Sequence, residues 1–304
     1  MSLIATPTQL EKGLKGIFFS EAASVPPSLV DNVATLVTSQ ADSEKYAWIG
    51  ESPQMEEIID EVKFVSLSDT GYTITNKEYA AGIAVRSRDV KNDQTGGIAA
   101  RTRQLASVAQ RHVNKLLINA LINGTTNLGY DGVAMFSDTH TARDQQASTQ
   151  DNLLAGSGTS TANVQTDINA GIAAILNFLA ENNEPYTEEI NRIAIIAPPA
   201  LRKPIIEAVQ AGIISQTDNV QVDGISWYLH FSGRLTSTDV NDWYMLDVGG
   251  PVRPLVYQLR EGVRFEALED GDTAFVRNEY RYKAQAYHEV GYGPWQKAVK
   301  FVNT

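Results

Sequence analysis

Residues 62–88 read VKFVSLSDTGYTITNKEYAAGIAVRSR, and residues 96–124 read GGIAARTRQLASVAQRHVNKLLINALING. In the first stretch the hydrophobic period is two. Val62, Phe64 and Ser66 alternate with Lys63, Val65 and Leu67, Asp69-Thr70-Gly71 is a turn signal, and Tyr72–Asn76 and Ile83–Arg86 follow with β-branched and aromatic residues. Two arms of about a dozen residues would extend roughly 40 Å at ~3.3 Å per residue. A two-stranded hairpin of that length is marginal in water, so this one is expected to lie on another surface. The plainer alternative is the edge of an ordinary sheet. In the second stretch the period becomes helical: Ile98, Leu105, Ala109, Val113, Leu116, Ala120 and Leu121 recur in steps of three and four. Gly96-Gly97 opens this helix, and Gly124 is expected to close it as a left-handed cap.

Outward from this pair, the N-terminal side reads as an arm of patchy structure. Leu10, Leu14, Ile17 and Phe18 mark an amphipathic piece, Pro26-Pro27 interrupts it, and Ser28 is placed to cap a second short helix through Leu29, Val33, Leu36 and Val37. On the C-terminal side a second strong helix is expected from about Asn163 to Glu181, capped by Thr161 or Asn163. Ile193–Ala197 reads as a buried strand, and Pro198-Pro199 leads into a helix through Val209. The remainder is strand-rich: Ser226 to Ser232, Trp243 to Val248, Leu255 to Leu259 and Phe275 to Ala286. Strands and helices are mostly segregated, which is an α+β pattern.

Composition narrows the function classes. The 304 residues are 43% hydrophobic and 20% charged, an ordinary mix for a chain with a sizeable core. No run approaches the ~20 apolar residues of a membrane helix, and Met1 to Leu10 lacks the basic start and apolar centre of a signal peptide. Synthesis and folding in a cytosol are therefore expected, with the segment after Met1 retained. Cysteine is absent, so there are no disulfides, thiolate metal sites or cysteine nucleophiles. A net charge of −11 opposes general binding to phosphate backbones, leaving only local basic spots such as Arg86 and Arg88, or Arg101 and Arg103.

Chemistry-bearing patterns are sparse. The best is Tyr130-Asp131-Gly132 followed by Asp138-Thr139-His140, where carboxylate and imidazole could bind a divalent ion or form an acid–base pair. A metal site needs three or four ligands, and the only histidines are His112, His140, His230 and His288. The favoured reading is that Asp131 and His140 make turn and cap hydrogen bonds after the long helix. No GxSxG elbow, GxGxxG, GxxxxGK[ST] or HExxH occurs. Glu56-Glu57 with Asp60-Glu61 reads as a solvated acidic face, and the four tryptophans as core or interface anchors. No catalytic, cofactor-binding or metal-ligating residue is assigned, and no cofactor is expected.

Several segments, in order, resemble the Mu-type phage major head subunit family. Tyr46 to Met55 is similar to its Y-x-W-[LI]-G-x-x-P stretch, and Gly71 to Lys77 to its G-Y-x-I-x-N-K. Val85 to Asp93 with Gly96 resembles the segment leading into a long helix. Tyr130-Asp131-Gly132 and Phe136 to His140 resemble its Y-D-G-x-x-F-F-D-T-x-H. Phe275-Val276-Arg277 and Gly291 to Gln296 resemble its closing V-R and G-Y-G-x-W-Q. The resemblance implies an α+β Hong Kong 97-type capsid fold with an N-terminal arm (1–50), an extended hairpin or E-loop with its flanks (51–95), a peripheral domain carrying the long spine helix (96–189), an axial domain (190–265) and closing strands of the peripheral domain (266–304). The implied function is that of a major head protein, assembling as hexamers and pentamers into an icosahedral shell around double-stranded DNA. The hairpin would lie on a neighbour's spine helix and peripheral domain. Phe64, Leu67, Tyr72, Ile74, Tyr79, Arg86, Arg88 and Asp89 are the expected inter-subunit contacts, the last three as charge pairs. The implied partners are copies of the same chain, portal and scaffolding proteins, and packaged DNA held weakly and without sequence preference. No membrane is involved, and assembly would take place in the bacterial host cytoplasm. Two rival readings are an encapsulin-like compartment and an Asp–His metal hydrolase.

Overall fold

The computed structural model describes residues 7–25, 29–46, 49, 71–92, 96–141, 149–180, 184–210, 213–214, 217–218, 224–268 and 278–303. In chain order these form α1 (Pro7–Ser24), α2 (Val30–Val33), β1 (Ala34–Thr38), β2 (Ser43–Tyr46), β3 (Tyr72–Thr75), β4 (Lys77–Arg86), α3 (Ser87–Asn92) and α4 (Gly97–Ile122). Then come β5 (His140–Thr141), β6 (Thr149–Gln150), β7 (Leu153–Ala155), α5 (Thr161–Asn177), β8 (Arg192–Ala197), α6 (Arg202–Gln210), β9 (Ile213–Ile214), β10 (Thr217–Asp218), β11 (Ser226–Phe231), β12 (Trp243–Asp247), β13 (Leu255–Leu268), β14 (Glu279–Tyr292) and β15 (Ala298–Val302). No helix among the described residues is long and apolar enough to cross a membrane.

Four strands in the order β1-β13-β14-β4 make the first sheet, with β1 parallel to β13 and the rest antiparallel. Along β14 the side chains alternate: Tyr282, Ala284, Ala286 and His288 are buried, whereas Arg281 and Lys283 are exposed. The buried side carries α4 and α1. Leu14 and Phe18 of α1, Leu105 and Ala106 of α4, and Val85, Phe265 and Tyr282 of the sheet form one apolar cluster, with the Phe18 and Phe265 rings 4.9 Å apart. The result is a two-layer slab, helices on one side and a partly solvated sheet face on the other.

The second sheet, in the order β11-β8-β12-β15-β7, is the centre of the main core. Its interior strand β8 carries the Ile193–Ala197 run, buried on both faces as an unbroken apolar stretch requires. Against it lies α5 through Val164, Ile168 and Ile175. A side chain at Gly171 would collide with Met245 and Phe301, so glycine there sets the helix–sheet distance. Two ion pairs are taken into this half: Lys297 Nζ donates to Asp247 Oδ2 at 2.7 Å, and Lys300 Nζ lies 3.3 Å from both Asp239 and Asp242.

Five sequence expectations change. The return arm of the expected hairpin is β4, and its partner belongs to the same chain: it pairs with β14 from Lys77↔His288 to Arg86↔Glu279. Likewise β3 pairs with β2. The described part of this region is thus a sheet edge, stabilised within the subunit; the outgoing arm at 62–70 lies outside the described residues, as do Pro26, Pro27 and Ser28. Gly124 is not left-handed; it is needed because a Cβ there would sit 2.6 Å from the Phe136 ring. The left-handed glycine is Gly96 at the other end of α4, with φ 69°. Helix α5 is capped by Ser160, which accepts from Asn163 N at 3.2 Å, and stops at Asn177 because Phe178 turns extended to pack on Trp295. Leu36 and Val37 belong to β1 and not to a helix, since β13 offers that segment a ladder of hydrogen bonds. Finally, the closing strand runs to Tyr292, well past Ala286, because His288 and Glu289 find polar partners on β4 and α4.

Candidate assembly surfaces and the joints behind them

The motif residues singled out from sequence converge in space, but they meet in the interior. His140 is fully buried; its Nδ1 lies 2.6 Å from Asp131 Oδ2 and its ring stacks on Trp295 at 4.1 Å. Asp131 also accepts from Val133 N at 3.1 Å, the turn bond expected of it. Gln296 donates to the Tyr130 hydroxyl at 2.8 Å. So the Y-D-G, T-H and W-Q segments make one clasp between the loop after α4 and the approach to β15. Among the described residues no group of three or more His, Asp or Glu is placed to hold a metal ion. His140 has no solvent access and Asp131 little, and the arrangement is a structural joint.

Sequence reasoning missed the residue at the centre of this clasp. Asn152, fully buried, accepts from Ser137 N at 2.9 Å and donates to the carbonyls of Met135 (2.8 Å), Ala298 (3.1 Å) and Trp295 (3.3 Å). Nothing in the local pattern Gln150-Asp151-Asn152-Leu153 marks it, because all four partners come from elsewhere in the chain.

The G-Y-x-I-x-N-K segment is a second joint. Ile74 is 3% exposed and packs in a small cluster with Tyr46, Ile49 and Val256 of its own chain. A side chain at Gly291 would run into Ile74 and Tyr72. Asn76 donates to Ser39 Oγ at 3.0 Å and to Ala41 O at 2.9 Å, and Lys77 pairs with Glu289 at 2.8 Å. Tyr79 lies between His112 of α4 and His288 of β14, with ring centroids 4.3 and 5.3 Å away, and donates to Glu289 at 3.0 Å. His112 Nδ1 and His288 Nε2 are 3.2 Å apart, so one ring donates and the other accepts. Burial and the neighbouring His112 push His288 down to about 4, and burial lowers His112 as well. Both shifts favour the neutral rings, and the bond itself requires that at least the accepting nitrogen be unprotonated.

Of the eight expected inter-subunit residues, Phe64 and Leu67 lie outside the described residues. Ile74 is spent inside its own subunit, because the alternation along β3 turns it toward Val256. Tyr72 and Tyr79 are half-buried in the joint just described. Arg86, at the end of β4, is exposed, and Arg88 and Asp89 project from α3 with side chains 75% and 57% exposed and 3.7 Å apart.

Among the described residues two faces of the slab remain open. On the sheet side, Gly82 and Ala84 of β4 leave a groove of about 540 Å³, flanked by Glu266, Leu268, Arg281 and Lys283, with Leu268 51% exposed. The charges around it are matched in place: Lys283 with Glu266 at 2.9 Å and Arg264 with Glu261 at 2.9 Å. On the helix side, α4 presents Arg101, Gln104, Val108, Arg111 and Lys115 along one exposed row.

A model of the family described as Mu-like prophage major head subunit gpT matches residues 8–175 and 214–303. The Mu-like prophage FluMu major head subunit of Haemophilus influenzae is 22% identical over 282 residues, covering 92% of this chain and 68% of that protein. The major capsid protein of Escherichia phage Mu is 22% identical over 275 residues, covering 90% of this chain and 66% of that protein. The chain thus spans about two thirds of the length of these curated relatives. Among solved structures, the procapsid of bacteriophage JBD30 superposes with a TM-score of 0.58 at 21% identity, over 97% of this chain and 75% of that one.

Proposed function

Because this chain belongs to the Mu-like prophage major head subunit gpT family, we propose that it assembles into the hexamers and pentamers of an icosahedral shell enclosing double-stranded DNA. It is a phage or prophage major capsid protein, a structural subunit and not an enzyme, with an α+β Hong Kong 97-type fold. The observation that carries the reading is the reach of the family match. It takes in α1, β1, β4 and α4 of the slab and β7, β11, β12 and β15 of the second sheet, so both halves belong to it.

In this reading the slab is the peripheral domain and the five-stranded sheet is the core of the axial domain, with β15 and the edge strand β7 joining it from outside the 190–265 span. Residues 1–50 act as the N-terminal arm, and the hairpin within 51–95 reaches a neighbouring subunit. Phe64 and Leu67 supply the apolar contact, for which the groove beside Gly82 and Ala84 is the matching receptacle, while Arg86, Arg88 and Asp89 pair charges at its base. An interface of this lapped kind belongs to the obligate class, well over ~2,000 Å², although ordering and association costs offset much of the gross gain. Portal and scaffolding proteins are the further partners, and the host cytoplasm is the place of assembly. Since β3 is built into its own subunit, removing 66–77 would damage the fold itself. The sharper test is Phe64→Asp with Leu67→Asp, examined by negative-stain electron microscopy and circular dichroism. The expected result is a folded, soluble subunit that forms no shells; normal shells from this variant would refute the hairpin contact.

A further inference from the structure

We propose that the open face of α4 is the surface of the shell subunit against which the enclosed duplex DNA lies. This rests on the shell reading above. A two-layer slab built into a closed shell has one face toward the lumen and one toward neighbours or the exterior, and the two faces here differ in kind. Helix α4 has 26 residues, among them Arg101, Arg103, Arg111 and Lys115 and not a single Asp or Glu, in a chain of net charge −11. All four cations are exposed, and among the described residues none of them is in an ion pair. On the sheet face, by contrast, Lys283, Arg264 and Arg281 each have a carboxylate within 3.6 Å.

Unpaired cations in a row call for a polyanion. Arg101, Arg111 and Lys115 lie on the single exposed row that includes Gln104 and Val108, and span about 21 Å at 1.5 Å per residue. That is about six base pairs of duplex at ~3.4 Å each. Long cationic side chains with an amide, Gln104, between them are groups that hold phosphate oxygens, fixing position without reading bases. A folded acidic partner would have to match the spacing of these three residues, whereas a phosphate backbone offers charge at every step along the row. The net negative charge of the rest of the chain keeps the contact weak, which suits DNA that must later leave the shell.

The test measures binding of a fluorescein-labelled 30-base-pair duplex to the full-length subunit by anisotropy between 50 and 200 mM NaCl. Three phosphate contacts predict a fall in affinity of about 40-fold across that range. The variant R101Q/R111Q/K115Q is expected to lose most of the binding at 50 mM and nearly all of the salt dependence. R264Q/R281Q/K283Q removes equal charge from the sheet face and should bind as the parent does. Equal loss in both variants, no binding by the parent, or binding of poly-glutamate in place of DNA would overturn the proposal. Shell formation is scored separately by electron microscopy. Failure of the parent to form shells would refute the capsid reading with the binding result still standing, and loss of shells in the α4 variant alone would reassign that face to a subunit contact.

Discussion

The two sheets of this subunit solve the same packing problem in opposite ways. The inner strands β8 and β12 of the five-stranded sheet are buried on both faces, and even charges are taken inside this half: Lys297 with Asp247, Lys300 with Asp239 and Asp242. Desolvating such pairs is costly, and good geometry with further hydrogen bonds has to offset that cost. Tyr244 supplies one such bond, donating to Asp239. The four-stranded sheet is buried on one face only, and its link to α4 includes a pair of neutral histidines against Tyr79. Its open face carries small residues and exposed ion pairs. One half is arranged to stay as it is, and the other keeps surface available for contact. A shell subunit needs both, since contacts with neighbours can be registered only on a fixed frame.

Three perturbations probe that difference, in decreasing order of expected effect. Asn152→Ala should destabilise the chain by about 3–5 kcal/mol, because it strands three buried carbonyls and one buried N–H at the clasp. A chemical-denaturation midpoint within error of the parent would show that the clasp is not what ties the α4 loop to β15. Acidification should act on the slab instead. The depressed histidines favour the folded, neutral form, so their contribution is complete above about pH 6.5 and is lost as pH falls toward about 4. The loss is on the order of 2–3 kcal/mol. His288→Gln should flatten that part of the stability-versus-pH curve, and an unchanged slope between pH 6.5 and 4 would exclude the histidine pair as its source. Smallest of all, Lys283→Ala on the open sheet face removes an exposed pair with Glu266 and should cost well under ~1 kcal/mol. A shift above 2 kcal/mol in thermal unfolding would mean that this face is less solvated than the alternation along β14 indicates.

Local patterns predicted the elements that answer to one physical period. The helical repeat from Ile98 to Leu121 and the apolar run Ile193–Ala197 both formed where periodicity put them, because each is determined by neighbours a few residues away. The ordered motifs from Tyr46 to Gln296 pointed to the family. What those motifs do was not legible. Asp131 and His140 read as a possible ion site or as turn residues, and only Trp295, 155 residues farther along, makes them a buried clasp. The hairpin read as lacking support for the same reason: its partner strand starts at Glu279, about 190 residues after Arg86.

The sequence by itself determined the α+β class, the long basic helix, the absence of thiol chemistry and membership in a family of shell subunits, because composition, period and motif order are properties of the chain. Tertiary structure alone decided which side chains are spent inside the subunit and which remain to meet others. Ile74 went inside and Arg86 stayed out; the cations of the sheet face found carboxylates, and among the described residues those of α4 did not. Burial and charge pairing are settled by residues far apart in sequence that come within a few ångströms only when both sheets have closed.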